Sequence, residues 1–234
     1  MIVPCFNEGD NLGRLVDRFR ESIGDEPGVQ LVIVDNGSTD GSANTLRALE
    51  GDSRNGFLRV VTVEHNRGYG HGIAAGLRWA RAEFLAWTHA DLQTNPADVM
   101  AGYRLIRSSA DPLRTLVRGR RIGRPLFDSL FTAGMSVVAS LLLQARLRDI
   151  NAQPKVFHRS LLDSMHDAPH DFSFDVYMLL LARRLRLSVL EFPVAFHART
   201  HGRSKGGGSL TGKLRLSART LAYLFTMQSR GKLR

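Results

Sequence analysis

Four short apolar runs, at residues 2–5, 31–34, 58–63 and 84–87, punctuate the first half of the chain, and each breaks into a polar or glycine-bearing turn. Between them the apolar positions recur every three to four residues. In 11–23 the side chains of Leu12, Leu15, Val16, Phe19 and Ile23 share one face, and 41–49, 72–81 and 96–106 also read as helices. Strand-length runs alternating with amphipathic stretches predict a mostly parallel sheet flanked by crossover helices, an α/β fold. Cys5 is expected to be a buried strand residue, and as the single cysteine it excludes an internal disulfide framework.

The second half is less regular. A basic segment, Arg118-Gly119-Arg120-Arg121, follows the expected fifth strand, and an uncharged stretch at 129–145 reads as a buried or interfacial helix. That stretch falls slightly short of the roughly 20 residues needed to span a bilayer. Next come Asp149-Ile150-Asn151-Ala152-Gln153-Pro154-Lys155, a helix after Asp171 carrying Val176, Leu179, Leu180 and Ala182, and a strand at 187–192. A loop with Arg199, Ser204 and Lys205 leads into Gly206-Gly207-Gly208, which could hinge a final amphipathic helix at 210–228. Leu210, Leu214, Leu221, Leu224 and Phe225 share one side of that helix. It suits lying on an anionic membrane or docking on the chain's own core. The expected division is one α/β domain over 1–208 and a basic amphipathic C-terminal helix over 209–234.

Charge sharpens this division. The 234 residues contain 32 Lys and Arg against 22 Asp and Glu, a formal net charge of +10, and no acidic residue follows Glu191. Such an excess favours an anionic partner: a phosphate-rich substrate, an acidic lipid surface or nucleic acid. Interleaved aromatics and a nucleic-acid-binding motif are missing, so no nucleic-acid partner is expected. Because the apolar start breaks at once into Asn7-Glu8, no signal peptide is read, and a cytoplasmic location is expected, with peripheral attachment to the cytoplasmic face of the membrane.

Open α/β sheets bind ligands outside the carboxyl ends of their strands. Three of the first four such turns carry acids: Glu8, then Asp35 with Asp40, then Asp91. Gathered at one sheet edge, they could hold a cation, a ribose or a base, although Asp40 is better read as capping the helix that follows it. The glycines of Gly68-Tyr69-Gly70-His71-Gly72 follow the third strand and lack dinucleotide-binding spacing, so close packing of a helix on the sheet is their expected purpose.

Three segments in order, Val3-Pro4-Cys5-Phe6-Asn7-Glu8, Val34-Asp35-Asn36-Gly37-Ser38-Thr39-Asp40-Gly41 and Ala90-Asp91-Leu92-Gln93, resemble the family-2 inverting glycosyltransferases of GT-A (Rossmann-like) fold. Asn66-Arg67-Gly68-Tyr69-Gly70, the 149–153 stretch and the 199–205 loop look like that family too, and the likeness is closest to the dolichol- and polyprenyl-phosphate sugar transferases. Members carry several residues before the first strand, which leaves open whether the native start lies upstream of Met1.

The resemblance implies a nucleotide-binding set of Pro4, Phe6, Glu8, Asp35, Ala90 and Asp91. It implies phosphate or acceptor contacts from Arg118 and Arg121, with Arg124 less so, and a closing loop of Arg199, Ser204 and Lys205. Asp91 would hold a divalent metal, Mg²⁺ or Mn²⁺. The family has Asp-X-Asp here, whereas this chain has His89 at the first position, so His89 and Gln93 are the remaining candidate ligands. Asp175 is either a helix-entry acid or a general base for a hydroxyl acceptor. The implied activity is inverting transfer of a sugar from a UDP- or GDP-sugar to a polyprenyl or dolichyl phosphate. Transfer to a glycan hydroxyl is the alternative. More remote are a catalytically inactive relative and a basic nucleic-acid-binding module.

Overall fold

The structure, a computed structural model, describes residues 1–23, 26–123, 149–197 and 210–229. The four predicted strands of the first half are β1 (Ile2–Cys5), β2 (Leu31–Asn36), β3 (Leu58–Val63) and β4 (Phe84–Trp87). Their connecting helices are α1 (Gly9–Ile23), α2 (Ser42–Gly51) and α3 (Tyr69–Trp79), and α4 (Ala97–Arg107) follows β4. Three further strands, β5 (Thr115–Ile122), β6 (Lys155–His158) and β7 (Ser188–Ala195), and two helices, α5 (Phe174–Arg184) and α6 (Leu210–Ser229), complete the described elements.

One sheet in the order β3-β2-β1-β4-β6-β5-β7 runs through the molecule. β6 pairs antiparallel with both β4 and β5, while every other pairing is parallel. The alternation of side chains along each strand divides the core in two. Ile2, Val32, Val34, Leu85, Trp87, Leu116 and Phe157 face a layer containing α3, α5 and α6. Their neighbours Val3, Ile33, Ala86, Val117 and Val156 face α1, α2 and α4. Helices therefore cover both faces of a mixed, mostly parallel sheet, as the sequence pattern predicts.

Three expectations change. The basic segment does not follow the fifth strand but lies within β5, because Arg118 is neutralised by Glu191 on the adjacent strand β7. The run Lys155-Val156-Phe157-His158 is a strand that the periodicity did not single out. On α6, Thr220, Leu224 and Met227 are buried and Leu221 and Tyr223 pack on the core, whereas Phe225 points outward at 56% exposure. The docked face is thus rotated from the one the leucine pattern predicts. No helix among the described residues is long and apolar enough to cross a membrane. The 129–145 stretch, Arg124 and the Gly206-Gly207-Gly208 hinge lie outside the described residues.

Candidate active site

The carboxyl ends of β1, β2 and β4 open onto a cavity of about 460 Å³. Pro4, Cys5, Phe6 and Glu8 form one side of it. Their turn is tied to the next one: the Asn7 backbone N–H donates to Ser38 Oγ (3.0 Å), Thr39 N–H donates to Asn7 Oδ1 (2.7 Å), and Glu8 N–H donates to Ser42 Oγ (3.1 Å). Asn7 takes a left-handed conformation there, φ 54°, which asparagine tolerates better than most residues. Glu8 accepts from Asn11 Nδ2 at 2.8 Å and also lines the cavity, so it braces the helix start without leaving the site. Asp40 accepts from Ser42 N–H at 2.9 Å at the entry to α2, in keeping with its reading as a capping residue.

Asp35 is placed differently from expectation. It is buried, accepts from Ser38 N–H at 3.0 Å, and does not line the cavity; Asn36 does. The pleat is the reason. Val32 and Val34 face α3, so Asn36 shares their side and donates to Gly68 O at the start of α3 (2.9 Å), leaving Oδ1 without a partner among the described residues. Ile33 faces α1, and Asp35 follows it. Counting parity along this strand from its buried valines would have found Asn36 in the sequence.

At the end of β4, His89, Ala90, Asp91 and Gln93 all line the cavity. Asp91 Oδ1 accepts from Gln93 N–H (3.2 Å), and Leu92 between them has φ 56°, a strained conformation for a branched side chain. The Gln93 amide donates to His197 O (3.1 Å). Burial lowers the pKa of His89, partly opposed by Asp91 and Asp175, so the imidazole is held neutral with a ring nitrogen able to donate electrons. Its ring stacks on Tyr69 at 5.5 Å, and Tyr69 stacks on Phe172 at 4.8 Å. Burial, followed by the charges of Asp175 and Asp91, pushes the Tyr69 hydroxyl well above its ordinary pKa.

A buried part of the wall joins Asp175, an expected site residue, to Lys155 and Gln153, for which the sequence predicted no role. Asp175 is buried and lines the cavity, and its Oδ1 accepts from Lys155 Nζ (2.5 Å) and Gln153 Nε2 (2.8 Å). Gln153 also reaches the Tyr69 hydroxyl at 3.2 Å. Lys155 is fully buried, 5.7 Å from the centre of the Trp87 ring, and desolvation lowers its pKa against the pull of Asp175. Lys155 and Asp175 belong to different elements, and their meeting is a property of the fold rather than of any local spacing.

Of the expected phosphate-contacting arginines, Arg121 lines the cavity. It forms an ion pair with Asp149, its Nε donating to Asp149 Oδ1 at 2.8 Å, and its guanidinium lies 5.1 Å from the Phe196 ring centre. Arg118 does not line the cavity. Its side chain is buried against Glu191 and donates to Asp149 O at 3.3 Å, which gives it a place in the strand rather than at a ligand. Arg199, Ser204 and Lys205 lie outside the described residues. Gly68 and Gly70 are needed less for the sheet than for the segment before α5: a Cβ at Gly70 would lie 2.2 Å from Pro169 O.

The Glycosyl transferase family 2 profile matches residues 1–111, which hold the β1, β2 and β4 turns of this cavity. Over those residues the chain is similar to the glycosyl transferase family 2 domain. Similarity to curated proteins extends over most of this chain. The undecaprenyl-phosphate 4-deoxy-4-formamido-L-arabinose transferase of Edwardsiella ictaluri is 29% identical across 88% of this chain, and the chain spans 62% of that relative's length. The dodecaprenyl-phosphate galacturonate synthase of Rhizobium johnstonii is also 29% identical, with 98% of this chain and 68% of the relative aligned. The dolichol-phosphate mannosyltransferase of Mycosarcoma maydis is 26% identical over 90% and 74%. Among solved structures, glucosyl-3-phosphoglycerate synthase from Mycobacterium tuberculosis, determined with Mn²⁺, uridine diphosphate and glucosyl-3-phosphoglycerate, superposes with a TM-score of 0.74. It is 18% identical, and the match covers 96% of this chain and 77% of that one. The chain thus has the GT-A fold.

Proposed function

We propose that this chain transfers a sugar, with inversion, from a nucleotide diphosphate sugar to the phosphate of a polyprenyl or dolichyl lipid. The observation that carries the reading is a cavity that joins an apolar and acidic nucleoside wall, Pro4, Phe6, Glu8 and Asn36, to Asp91 at the end of β4, with Arg121 in the same lining. The names of the three curated relatives described above, each a polyprenyl- or dolichol-phosphate sugar enzyme, support the choice of acceptor.

In this reading a base packs on Phe6 and Pro4, while Glu8 and the unpaired Oδ1 of Asn36 accept from ribose or base donors. The acceptor's phosphate oxygen attacks the anomeric carbon as the bond from that carbon to the diphosphate oxygen breaks. The nucleoside diphosphate leaves with the bonding pair. A lipid phosphate is an anion at neutral pH, so positioning by Arg121, rather than proton removal, is what this chain must supply.

The residues around Asp91 fit a divalent cation shared with the diphosphate. They offer one carboxylate, an imidazole kept neutral by burial and the amide of Gln93, and among the described residues no group of three or more His, Cys, Asp or Glu cages an ion unaided. Asp91, with His89 and Gln93, would hold it, and this mixed nitrogen and oxygen set suits Mn²⁺ better than Mg²⁺. When bound, such an ion offsets the charge that builds on the leaving diphosphate.

A second reading, transfer to a glycan hydroxyl, is favoured by one observation, the Asp175 carboxylate in the cavity wall. The deciding experiment incubates the purified chain with radiolabelled UDP- and GDP-hexoses, Mn²⁺, polyprenyl phosphate and a soluble glycan. Label passing into organic solvent is the expected result, and Asp91→Asn lowers its rate by roughly 10²-fold or more. Label retained on the glycan overturns the lipid acceptor, and an undiminished Asp91→Asn rate overturns the assigned site. A peripheral position on an anionic membrane face belongs to the same proposal and rests on the net charge of +10.

A further inference from the structure

The cavity wall that includes Asp175 contains a fully buried ion pair, Lys155 with Asp175, whose two members are unequally satisfied. The three N–H donors of the Lys155 ammonium meet three acceptors: Ile150 O at 3.1 Å, Ala152 O at 3.1 Å and Asp175 Oδ1 at 2.5 Å. Nothing is left over for a ligand, so Lys155 can affect the cavity only through Asp175. The carboxylate is lopsided. Oδ1 receives both Lys155 and Gln153, whereas Oδ2 has no partner among the described residues, although the residue is 0% exposed and lines the cavity.

A buried carboxylate oxygen left without a donor is costly, and natural folds keep such groups where a ligand or water completes them. The missing partner must itself be a donor, because the oxygen is a pure acceptor and repels phosphate oxygens. Within a nucleotide sugar the donors not already matched to the Glu8 and Asn36 side are the hydroxyls of the sugar ring. Hydroxyl to carboxylate bonds are charge-assisted and about twice as strong as neutral ones.

We propose that Lys155 is a positioning residue that occupies Oδ1 of Asp175 and thereby presents Oδ2 to the cavity as the acceptor for a hydroxyl of the sugar being transferred. This rests on the transferase reading above. It also assigns the carboxylate a different task from proton removal: a phosphate acceptor has no proton to surrender, and the bond from the ammonium fixes the carboxylate as a hydrogen-bond acceptor.

Two variants test it. Asp175→Glu keeps the charge pair with Lys155 but shifts the free oxygen by one methylene. Lys155→Met combined with Asp175→Asn removes both charges and so avoids stranding one of them in the core. Each is examined for melting temperature, for affinity towards UDP and GDP with Mn²⁺, and for kcat/KM on the hexose donor that turns over and on its monodeoxy analogues. The wild-type chain is expected to disfavour one deoxy donor by about tenfold or more, the scale of one charge-assisted hydrogen bond. In both variants that discrimination falls to within about threefold, while binding of the nucleoside diphosphate changes by less than about threefold. Wild-type discrimination retained in a folded variant overturns the proposal, as does a wild-type chain that accepts every deoxy donor equally. Should the double variant fail to fold, Asp175→Glu decides alone. A wild-type chain that transfers label from no nucleotide sugar instead overturns the transferase reading itself.

Discussion

Arg118 and Arg121 sit three residues apart on one strand and have separate fates. Arg121 reaches the cavity, while Arg118 lies against Glu191 with 3% of its side chain exposed. Removing the Arg118 guanidinium should therefore cost stability more than binding. Arg118→Met is expected to lower the unfolding free energy by about 1–3 kcal/mol, less than a fully buried pair would lose because Glu191 is 34% exposed and screened by water. Nucleoside diphosphate affinity should stay within about threefold; a urea titration and a binding titration read the two quantities, and a large loss of affinity at unchanged stability contradicts the assignment. A second residue reports on acid. Asp52 caps the short helical turn at Ser53–Asn55 and bonds Arg54, first through its side chain and then through its backbone N–H, which holds its carboxyl at about 2, below the ordinary aspartate value of 3.8. A depressed carboxyl stabilises the fold above its unfolded pKa and loses that contribution as pH falls through the folded one. The window is thus from near 4 down to about 2. Asp52→Asn should flatten stability in this window alone, and an NMR titration placing the carboxyl at its ordinary value would contradict the assignment.

Among the elements, the first half of the chain was legible and the second half less so, for a physical reason. Glu8 and Asp91 lie in the turns directly after β1 and β4, Asn36 is the last residue of β2, and apolar periodicity marks where each strand stops. At these strand ends only parity was missed, at Asp35 and Asn36. The deep wall is built from residues 149–155 and from α5, whose contacts are made across the fold: Gln153 to Tyr69, Lys155 to Asp175, Arg121 to Asp149. Charged residues buried on strands defeat a reading based on hydropathy, because each is made tolerable by a partner distant in sequence. The packing of α3 makes a testable case. At Gly70 a methyl group would meet two backbone carbonyls, Pro169 O at 2.2 Å and Asp171 O at 2.9 Å, neither of which can rotate away. Gly70→Ala should destabilise by about 1–3 kcal/mol or more. It should also weaken nucleotide binding, since Tyr69 and Phe172 on either side of this contact line the cavity. Unchanged urea midpoint and unchanged affinity together would contradict the close approach.

The whole molecule is asymmetric in charge. A net +10 with no acid beyond Glu191 concentrates attraction for anions towards one end of the chain. If that attraction is the anchor to a membrane, it must weaken with salt, because at about 1 M the Debye length shrinks to ~3 Å. Sedimentation with vesicles of anionic lipid should capture the chain at low salt and release at least about half of it at about 1 M, with neutral vesicles capturing little. Retention at high salt would point to apolar insertion instead. The docking of α6, through Leu224 and Met227 on the core and Leu216 at the cavity, ties the basic end to the site itself.

β6 alone among the described strands runs against its neighbours, so its first residue, not its last, lies beside Trp87 at the carboxyl end of β4. From behind the cavity wall, the buried cation therefore reaches Asp175 by parity. Lys155 and Phe157 lie on the side of α3 and α5, and Val156 lies on the side of α1 and α4. A slip of this strand by a single residue would turn the ammonium into the opposite layer and set a valine against Asp175. The pairing of β6 with two neighbours thus works as a lock on registration: the same ladder bonds that close the sheet decide whether the site has its cation at all.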